Sequence, residues 1–496
     1  MTDAEVRPAD VVIIGAGVVG TAIARTLAGY SLDCVLADAA ADVGTGTSKA
    51  NTAILHTGFD AKPGSLEARL LRRGSELLRS YAAAAGIPVE RTGALLVAWT
   101  PEQSAALPAI ADNARRNGYH AVRPVAAAEL YAREPSLGPG AVAALEIPDE
   151  SIICPWTTPL AFATEAVSAG VRLLLGTSVT GVAPSGDGWH QLATTRGPLR
   201  CRWVVNAAGL GADVIDRMFG GGGGFTVRPR RGELIVFDKL ARPLLSSILL
   251  PVPTARTKGV LVAPTVYGNV LLGPTAENVS DRGDLGTTAA GLRSLLDAGQ
   301  RIVPRLVEEE ITSSYAGLRA ATEHPDYQIY ADAGRRYACA GGIRSTGLSA
   351  SLGIAEHVVS LLESAGLALR PRVTGLSGVF GLSGPLGVSG HSGVFGTPPV
   401  MAYIGEAGVR PYQDAGRIAA DPAYGQIVCH CERVTLGEIR DAMASPLPPA
   451  DLGGLRRRTR AMNGRCQGFY CAAAVSRLFA SSGRADLPRA AVAVPT

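Results

Sequence analysis

The first forty residues contain the unit that most constrains the fold: a strand, a glycine turn, a helix and a second strand. The apolar run DVVIIG leads into GAGVVG (15–20), a helical pattern follows, and the next apolar run ends at Asp38. This order opens a doubly wound α/β sheet. In such a unit Gly15 permits a tight turn, Gly17 lets a pyrophosphate approach the backbone, and Gly20 allows close helix–strand packing.

The unit also predicts a dinucleotide site. The helix N-terminus offers unpaired N–H groups and a positive dipole to phosphates, and Asp38 is placed to accept hydrogen bonds from a ribose. Its position at the start of the chain and the small, hydroxyl-rich segment after Asp38 favour FAD over NAD. A second small-residue turn, NAAG, ends a later strand and is expected beside the dinucleotide. The predicted FAD contacts in these two segments are Thr47, Ser48, Asn51, Ala208 and Gly209.

Composition narrows the class of protein. The 496 residues are 47% hydrophobic and 18% charged, with a formal net charge of +4, which excludes a disordered chain and argues against a nucleic-acid binder. The length suggests two to four domains. No stretch reaches the roughly 20 apolar residues of a bilayer span, and the polar start lacks an apolar signal core. We therefore expect a cytoplasmic protein, with peripheral association at the inner membrane face only through a partner.

Periodicity outlines the remaining elements. Helical patterns occupy 64–86, 102–118 and 152–170, while 171–209 and 225–280 are strand-like, with turns expected at Gly232, Gly259 and Gly268. Five glycines at 220–224 predict a flexible surface loop. Residues 371–400 are rich in Gly, Ser and Pro and repeat SGVFG, as expected of a low-complexity linker.

Several motifs carry a family resemblance: GTSKANTAILHTGFDAKPGSLEARL (46–70), PRRGEL (229–234), TKGVLVAPTVYGNVLLGPTAE (257–277), YAGLR (315–319) and GGIRSTGLSASLGIAEH (341–357). Together they resemble the D-amino-acid-oxidase-like FAD oxidoreductases. Within that group they are most similar to FAD-dependent glycerol-3-phosphate dehydrogenases and oxidases, with L-2-hydroxyglutarate oxidases nearby.

The resemblance implies an α/β fold: a Rossmann-like FAD-binding domain interleaved with an antiparallel-sheet, α+β substrate domain. The oxidoreductase would span 8–370, with FAD-binding parts at about 8–80, 150–220 and 335–365. The substrate-binding parts would be about 81–149 and 221–334. A linker at 371–424 and a small, mainly helical C-terminal domain at 425–490, which carries the cysteines discussed below, would follow.

The same resemblance suggests active-site residues. His56 is expected beside the flavin as the base that removes a hydroxyl proton, although without the resemblance a structural histidine would be the favoured interpretation. Lys258 and Arg319 are expected to hold an anionic substrate group. The turn at 341–350 should feed a helix whose N-terminus stabilises charge on the flavin or merely caps the helix. Further implied FAD contacts are Val179, Gly347, Leu348 and Ser349.

The last seventy residues hold four cysteines in two close pairs, Cys429 with Cys431 and Cys466 with Cys471, which suit a [2Fe–2S] cluster or a zinc ion. The C-x-C and C-x4-C spacing resembles the bacterioferritin-associated-ferredoxin-like [2Fe–2S] domain. His430 is not expected to be a ligand. Four arginines before the second pair would either offset cluster charge or form a solvated helix face. Cysteines 34, 154, 201 and 339 are scattered and expected to be buried.

Together these features predict an FAD-dependent dehydrogenase that oxidises glycerol 3-phosphate to dihydroxyacetone phosphate by hydride transfer to flavin N5. A cluster that carries single electrons implies onward transfer to a protein or quinone acceptor, through partner subunits in the resembled enzymes. One alternative keeps the flavin chemistry but oxidises a 2-hydroxy acid or an amino acid. Another is a non-catalytic electron-transfer subunit of a larger complex.

Overall fold

The computed structural model describes residues 7–185, 188–220, 224–253, 259–372 and 397–481. Its strands are β1 (Ala9–Ile14), β2 (Cys34–Ala37), β3 (Ile54–Leu55), β4 (Val89–Glu90), β5 (Ala94–Ala98), β6 (Arg123–Ala126), β7 (Ala143–Ile147), β8 (Ser151–Ile153), β9 (Arg172–Leu174), β10 (Val179–Ser185), β11 (Trp189–Thr194), β12 (Leu199–Asn206), β13 (Arg228–Phe237), β14 (Ile248–Pro251), β15 (Leu261–Pro264), β16 (Val270–Gly273), β17 (Glu277–Asn278), β18 (Ile311–Ala321), β19 (Gln328–Asp332), β20 (Tyr337–Gly341), β21 (Ile427–Cys429) and β22 (Val434–Thr435).

The α-helices are α1 (Val18–Ala28), α2 (Leu66–Ala85), α3 (Pro101–Arg116), α4 (Ala127–Arg133), α5 (Thr157–Ser168), α6 (Ala212–Met218), α7 (Ala289–Ile302), α8 (Gly347–Ser364), α9 (Ala415–Ala420), α10 (Leu436–Ala444), α11 (Leu452–Thr459) and α12 (Ala472–Ser481). Among the residues described, no helix is both long and apolar enough to cross a membrane.

The first sheet is the predicted doubly wound α/β sheet. Its strand order is β10-β11-β12-β1-β2-β9, and β20, with β19 beyond it, also pairs with β12. The pairs β20–β12, β12–β1, β1–β2 and β2–β9 are parallel. Parallel strands covered by helices read as continuous apolar runs, as β1 does. Helices α1, α2, α5 and α8 pack together over this sheet, which confirms the α/β prediction.

The second sheet is largely antiparallel and has nine strands, in the order β17-β13-β16-β15-β14-β5-β7-β6 with β18 beside β13. The prediction of a turn at Gly232 is wrong, because Gly232 lies inside β13. A Cβ there would come within 2.9 Å of Nη2 of Arg319, so this glycine makes room for a guanidinium group. The turn at Gly268 is confirmed by its φ of +81°.

The predicted helices are present with small boundary shifts. The pattern at 64–86 is α2, whose N-cap Ser65 accepts the N–H of Ala68 and whose C-cap Gly86 has a φ of +67°. The pattern at 102–118 is α3. The segment 152–170 begins as strand β8 and becomes helix α5 only at Thr157. The four scattered cysteines are buried, as predicted.

The C-terminal module is a small unit with its own core. The β21–β22 hairpin packs with α10, α11 and α12 around apolar side chains that include Leu455 and Phe479. Within the predicted linker, residues 373–396 lie outside the described residues, as do 221–223 of the glycine run. Residues 397–424 carry α9, and Arg410 forms a buried ion pair with Glu438. The domain division itself stays a prediction.

Candidate functional site

The glycine turn between β1 and α1 is packed too tightly for other residues. Gly15 has a φ of +108°, and a Cβ on it would lie 2.4 Å from the carbonyl oxygen of Ala207. A Cβ on Gly20 would lie 1.8 Å from the Gly15 carbonyl oxygen. The N–H of Val18 donates to the hydroxyl of Ser48 at 2.9 Å. The turn therefore meets both other segments predicted to contact FAD, the one after Asp38 and the one at 207–209.

Asp38 ties the glycine turn to the end of β2. One carboxylate oxygen accepts the N–H of Ala16 at 2.6 Å, and the other accepts the N–H of Ala40 at 2.7 Å. Burial raises the pKa of Asp38, although both hydrogen bonds act in the opposite direction. Each oxygen keeps a second lone pair, so the predicted ribose contact is compatible with this positioning role.

The loop after Asp38 is held against β18 of the second sheet. The hydroxyl of Thr47 donates to the backbone carbonyl oxygen of Leu318 at 2.8 Å. The hydroxyl of Tyr315 donates to the backbone carbonyl oxygen of Asn51 at 2.7 Å. The Asn51 side chain accepts the N–H of Ala53, whose φ is +56°. An unusual backbone held by several contacts is typical of functional loops. Thr47, Ser48 and Asn51 thus lie in one ordered turn between α1 and β18.

His56 is oriented by a buried carboxylate. Its Nδ1 lies 2.9 Å from Glu150, whose side chain has no solvent exposure. Glu150 also accepts hydrogen bonds from the backbone and the hydroxyl of Thr57. The backbone N–H of His56 donates to the Ser349 hydroxyl, which itself donates to the carbonyl of Ile54. A carboxylate on Nδ1 holds the proton there and leaves Nε2 as the proton acceptor.

Sequence reasoning missed Glu150. It follows Pro148 and Asp149 between β7 and β8, where acidic residues normally mark a solvated turn. Only the antiparallel pairing of β8 with β3 brings Glu150 next to His56. No local signal in the sequence distinguishes it from neighbouring Asp149.

Arg319 stands beside a second arginine that the sequence analysis did not single out. Arg230 and Arg319 are directly opposed on β13 and β18, so their side chains share one face of the sheet. Among the described residues neither guanidinium has a carboxylate within ion-pair distance. The described contact of Arg319 is a long hydrogen bond of 3.4 Å to the carbonyl of Thr275. Burial, and then the charge of Arg230, lowers the pKa of Arg319 to about 10. Lys258 lies outside the described residues.

The N-terminus of α8 joins the same region. Helix α8 begins at Gly347, close to the predicted start at Leu348, and its Ser349 supports His56 as described above. Thr346 has a structural role, since its hydroxyl donates to the buried Glu67 at 2.7 Å. Val179 begins β10, two residues after Thr177, whose N–H donates to the carbonyl of Asp38.

The four C-terminal cysteines form two sulfur pairs, Cys431 with Cys466 and Cys429 with Cys471, which also interact with each other electrostatically. In the described part of the chain, no three or more His, Cys, Asp and Glu side chains converge into a closed metal-binding group. The N–H of Tyr470, aided by those of Gly468 and Phe469, lowers the pKa of the Cys466 thiol. Backbone donors of this kind suit a thiolate that ligates a cluster.

Three of the four arginines before the second cysteine pair form ion pairs, at the loop after β2 or beside the cysteine hairpin, so the interpretation as a solvated helix face is wrong for those three. Arg458 holds both oxygens of Asp42, at 2.6 and 2.8 Å, and Arg457 also reaches Asp42. Arg460 pairs with Glu432 at 3.1 Å. Arg458, Asp42, Arg460 and Glu432 are all buried. These ion pairs attach the module to the loop after β2 and brace the hairpin beside Cys431.

Known proteins match the chain in two regions. Residues 10–361 match the FAD dependent oxidoreductase family, and residues 427–481 match the BFD-like [2Fe-2S] binding domain. A glycerol 3-phosphate dehydrogenase from Caloramator mitchellensis is 31% identical over 472 residues, which cover 95% of this chain and 94% of that relative. A glycerol 3-phosphate oxidase from Mycoplasma pneumoniae is 29% identical over 372 residues, 71% of this chain and 94% of the relative.

A solved structure agrees with the fold. The L-alpha-glycerophosphate oxidase of Mycoplasma pneumoniae with FAD bound superposes with a TM-score of 0.70 at 27% identity, covering 74% of this chain and 97% of that one. The match to a [2Fe-2S] binding domain favours the cluster over the alternative of zinc at the cysteines. With the glycine turn and the cysteine pairs, these matches show that the chain belongs to the FAD-dependent oxidoreductase family and carries a C-terminal [2Fe–2S] domain.

Proposed function

We propose that this enzyme oxidises glycerol 3-phosphate to dihydroxyacetone phosphate and passes the electrons through the [2Fe–2S] cluster to a protein or quinone acceptor. The observation that carries the proposal is the Arg230–Arg319 pair. Two opposed guanidinium groups that have no carboxylate partner among the described residues repel each other, and a doubly charged phosphate would relieve that repulsion with bidentate hydrogen bonds. The similarity to glycerol 3-phosphate dehydrogenases and oxidases supports the same substrate.

The arginine pair is connected to the proposed flavin loop. The carbonyl of Leu318, next to Arg319, accepts the hydroxyl of Thr47. A Cβ on Gly317 would meet the carbonyl of Ala50 at 2.0 Å, so β18 and the loop are in direct contact. A phosphate held by the arginines, with Lys258 as a third cation, would therefore extend its carbon chain toward this loop.

His56 is the proposed base. Bound FAD would accept a hydride from the substrate carbon, and the protein must remove the proton from the hydroxyl oxygen on that carbon. With Nδ1 directed at Glu150, the Nε2 atom of His56 takes up that proton, and the buried carboxylate stabilises the imidazolium that forms. Ser349 holds the backbone of His56, so the ring position is set from two sides.

The cofactor contacts follow from the same geometry. Asp38 would bind the ribose. The pyrophosphate and flavin would be enclosed by Gly15, Gly17, Gly20, Thr47, Ser48 and Asn51. The FAD site would be completed by the second turn at Ala208 and Gly209, by Val179, and by the helix start at Gly347, Leu348 and Ser349. Cys429, Cys431, Cys466 and Cys471 would ligate the cluster. The electron acceptor, whether a partner subunit or a quinone, belongs to this proposal as well.

Anaerobic mixing of the purified enzyme with candidate substrates tests the proposal. Glycerol 3-phosphate should bleach the flavin absorbance, whereas L-2-hydroxyglutarate and amino acids should not. Relatives named L-2-hydroxyglutarate dehydrogenase are up to 30% identical over 282 residues, and a carboxylate would also fit an arginine pair. Bleaching by the hydroxy acid alone would contradict the proposal and establish that alternative.

Replacing His56 with Asn should slow bleaching by about 10²–10⁴-fold, the usual contribution of a positioned base. Glu150→Gln should also slow it, because the amide no longer stabilises the imidazolium. Exposed His120→Asn is the matched control and should leave the rate unchanged. An unaltered bleaching rate in His56→Asn would assign His56 a structural role. The alternative of a non-catalytic electron-transfer subunit predicts no substrate-dependent bleaching at all.

A further inference from the structure

One contact joins the proposed flavin loop to the cluster module through stacked side chains. The rings of Trp156 and Tyr267 stack with centroids 5.0 Å apart and planes 20° from parallel. The guanidinium carbon of Arg460 lies 4.1 Å from the Tyr267 centroid and 5.6 Å from that of Trp156. We call these three residues the interdomain stack. Trp156 and Tyr267 belong to the oxidoreductase domain and Arg460 to the C-terminal module.

Both ends of the interdomain stack reach a redox site. The indole N–H of Trp156 donates to the carbonyl of Lys49 at 3.1 Å, within the loop that carries Thr47 and Ser48. At the other end, Nε of Arg460 donates to Glu432 at 3.1 Å, and Glu432 directly follows Cys431 in the chain. The stack thus connects the loop proposed to hold FAD with the hairpin proposed to hold the cluster.

The conformation of Arg460 argues against a merely adventitious packing contact. Arg460 ends helix α11 with a φ of +73°, a left-handed conformation that is unfavourable for a side chain of this kind. The side chain is nevertheless buried, with a relative exposure of 5%. Burying a charged group against aromatic rings costs desolvation that an apolar residue would avoid. Interaction with Glu432 and Asn269 then fixes its plane over Tyr267.

We propose that the interdomain stack is the electron-transfer contact between the flavin and the cluster. This rests on the proposed function. Each transfer would take one electron from the reduced flavin and give it to the oxidised cluster, which passes it to the acceptor before the next. Two transfers would reoxidise the flavin, whose N5 proton leaves to solvent, and no bond of the protein is made or broken. The stack acts by filling the gap between the two centres with contiguous π-electron systems and by holding the cluster-binding hairpin at a fixed distance from the flavin loop.

The test begins with photochemical reduction of the flavin by light and EDTA, which does not require the natural substrate. The rate at which the electron paramagnetic resonance signal of the reduced cluster appears is then measured in wild type and in Trp156→Leu. We expect that rate to fall about tenfold or more. Trp156→Phe, which keeps a ring in the stack, should restore much of it. Trp189→Phe, on the surface strand β11, is the matched control and should behave as wild type.

Hydrogen exchange of residues 427–471 separates electron transfer from docking. Normal protection with slow cluster reduction in Trp156→Leu supports the proposal, whereas an unchanged reduction rate overturns it. If protection is lost in Trp156→Leu, the rate of cluster reduction in Asp42→Asn distinguishes electron transfer from docking. This second variant loosens docking without touching the stack. An equal loss of rate in Asp42→Asn would overturn a specific role of the stack, and a smaller loss would support it. Failure of the proposed substrate would appear separately, as absence of bleaching by glycerol 3-phosphate.

Discussion

Two groups of buried or half-buried arginines in this protein have opposite electrostatic surroundings. At the domain interface, Arg457 and Arg458 share Asp42, and Arg460 pairs with Glu432. In the second sheet, Arg230 and Arg319, which we call the substrate pair after their proposed role, oppose each other, and among the residues described neither has a carboxylate partner.

The difference separates attachment from recognition. A buried cation that already holds a carboxylate is satisfied and contributes to one fixed arrangement of the chain. A buried cation beside another cation lowers the stability of the folded state, and other contacts of the fold must offset this until an anion binds. The lowered pKa of Arg319, caused by burial and then by Arg230, expresses that cost. The proposed function implies that the substrate pair lowers the stability of the free protein and that binding of the substrate anion offsets this loss.

The largest effect should come from breaking the interface. Arg458→Met leaves Asp42 buried with only Arg457 as a charged partner, so the free energy of opening the C-terminal module should fall by about 3 kcal/mol, the low end for a broken buried pair. Hydrogen exchange of residues 427–479 measures this. The double variant Asp42→Leu/Arg458→Met should be less damaging than the single one. Arg417→Met, which breaks an exposed pair, is the control, and an equal effect there would remove the distinction between the arginine groups.

Removing a charge from the substrate pair should weaken substrate binding without destabilising the folded protein. Arg319→Met should raise the KM for glycerol 3-phosphate about 10- to 150-fold, the value of a lost charge-assisted hydrogen bond. Because the pKa of Arg319 is depressed to about 10, its charge destabilises the folded state below that pH. The variant should therefore keep or raise its Tm in anion-free buffer. Arg228→Met, exposed on β13 near Arg230, should change neither quantity. A lower Tm in Arg319→Met would contradict the comparison.

A carboxylate placed beside the substrate pair should give Arg230 an ion-pair partner, as Asp42 is for the arginines at the domain interface. Asn278 lies directly opposite Arg230 on β17 and is exposed. Asn278→Asp should stabilise the protein by roughly 0.2–1 kcal/mol and raise KM by at most about fivefold, because the new charge competes with the substrate anion. Asn278→Ser serves as the neutral control. Steady-state kinetics and thermal unfolding measure both changes, and a lower KM would contradict this account.

The smallest effect at ordinary pH concerns Asp42. Burial alone would raise its pKa, but the hydrogen bond and charge of Arg458, with Arg457, lower it overall. Its contribution to stability is thus complete above about pH 4, the ordinary range of an aspartate, and is lost as pH falls through the lower folded-state value. Docking measured by hydrogen exchange should be constant from about pH 8 to 5 and weaken in acid. Asp42→Asn should lack this acid-dependent part; a steep change near neutral pH would argue against it.

The sequence determined the parts of this protein that depend on local patterns. The glycine turn is predictable because Gly15 and Gly20 have no Cβ, and the backbone there leaves no space for one. The role of Asp38 is predictable from its place at the end of the next strand. The cysteine spacing alone indicated a shared metal or cluster site. These features act over short stretches of chain, so residue type and spacing suffice to predict them.

The tertiary structure decided which distant residues meet. Glu150 reaches His56 only through the pairing of β8 with β3, and Arg230 faces Arg319 only through the register of β13 and β18. Gly232 looked like a turn residue because no sequence pattern reveals that a guanidinium needs its space. Burial and strand register are properties of the packed chain, and charge partners follow from them, so the electrostatic roles of these residues emerge only from the fold.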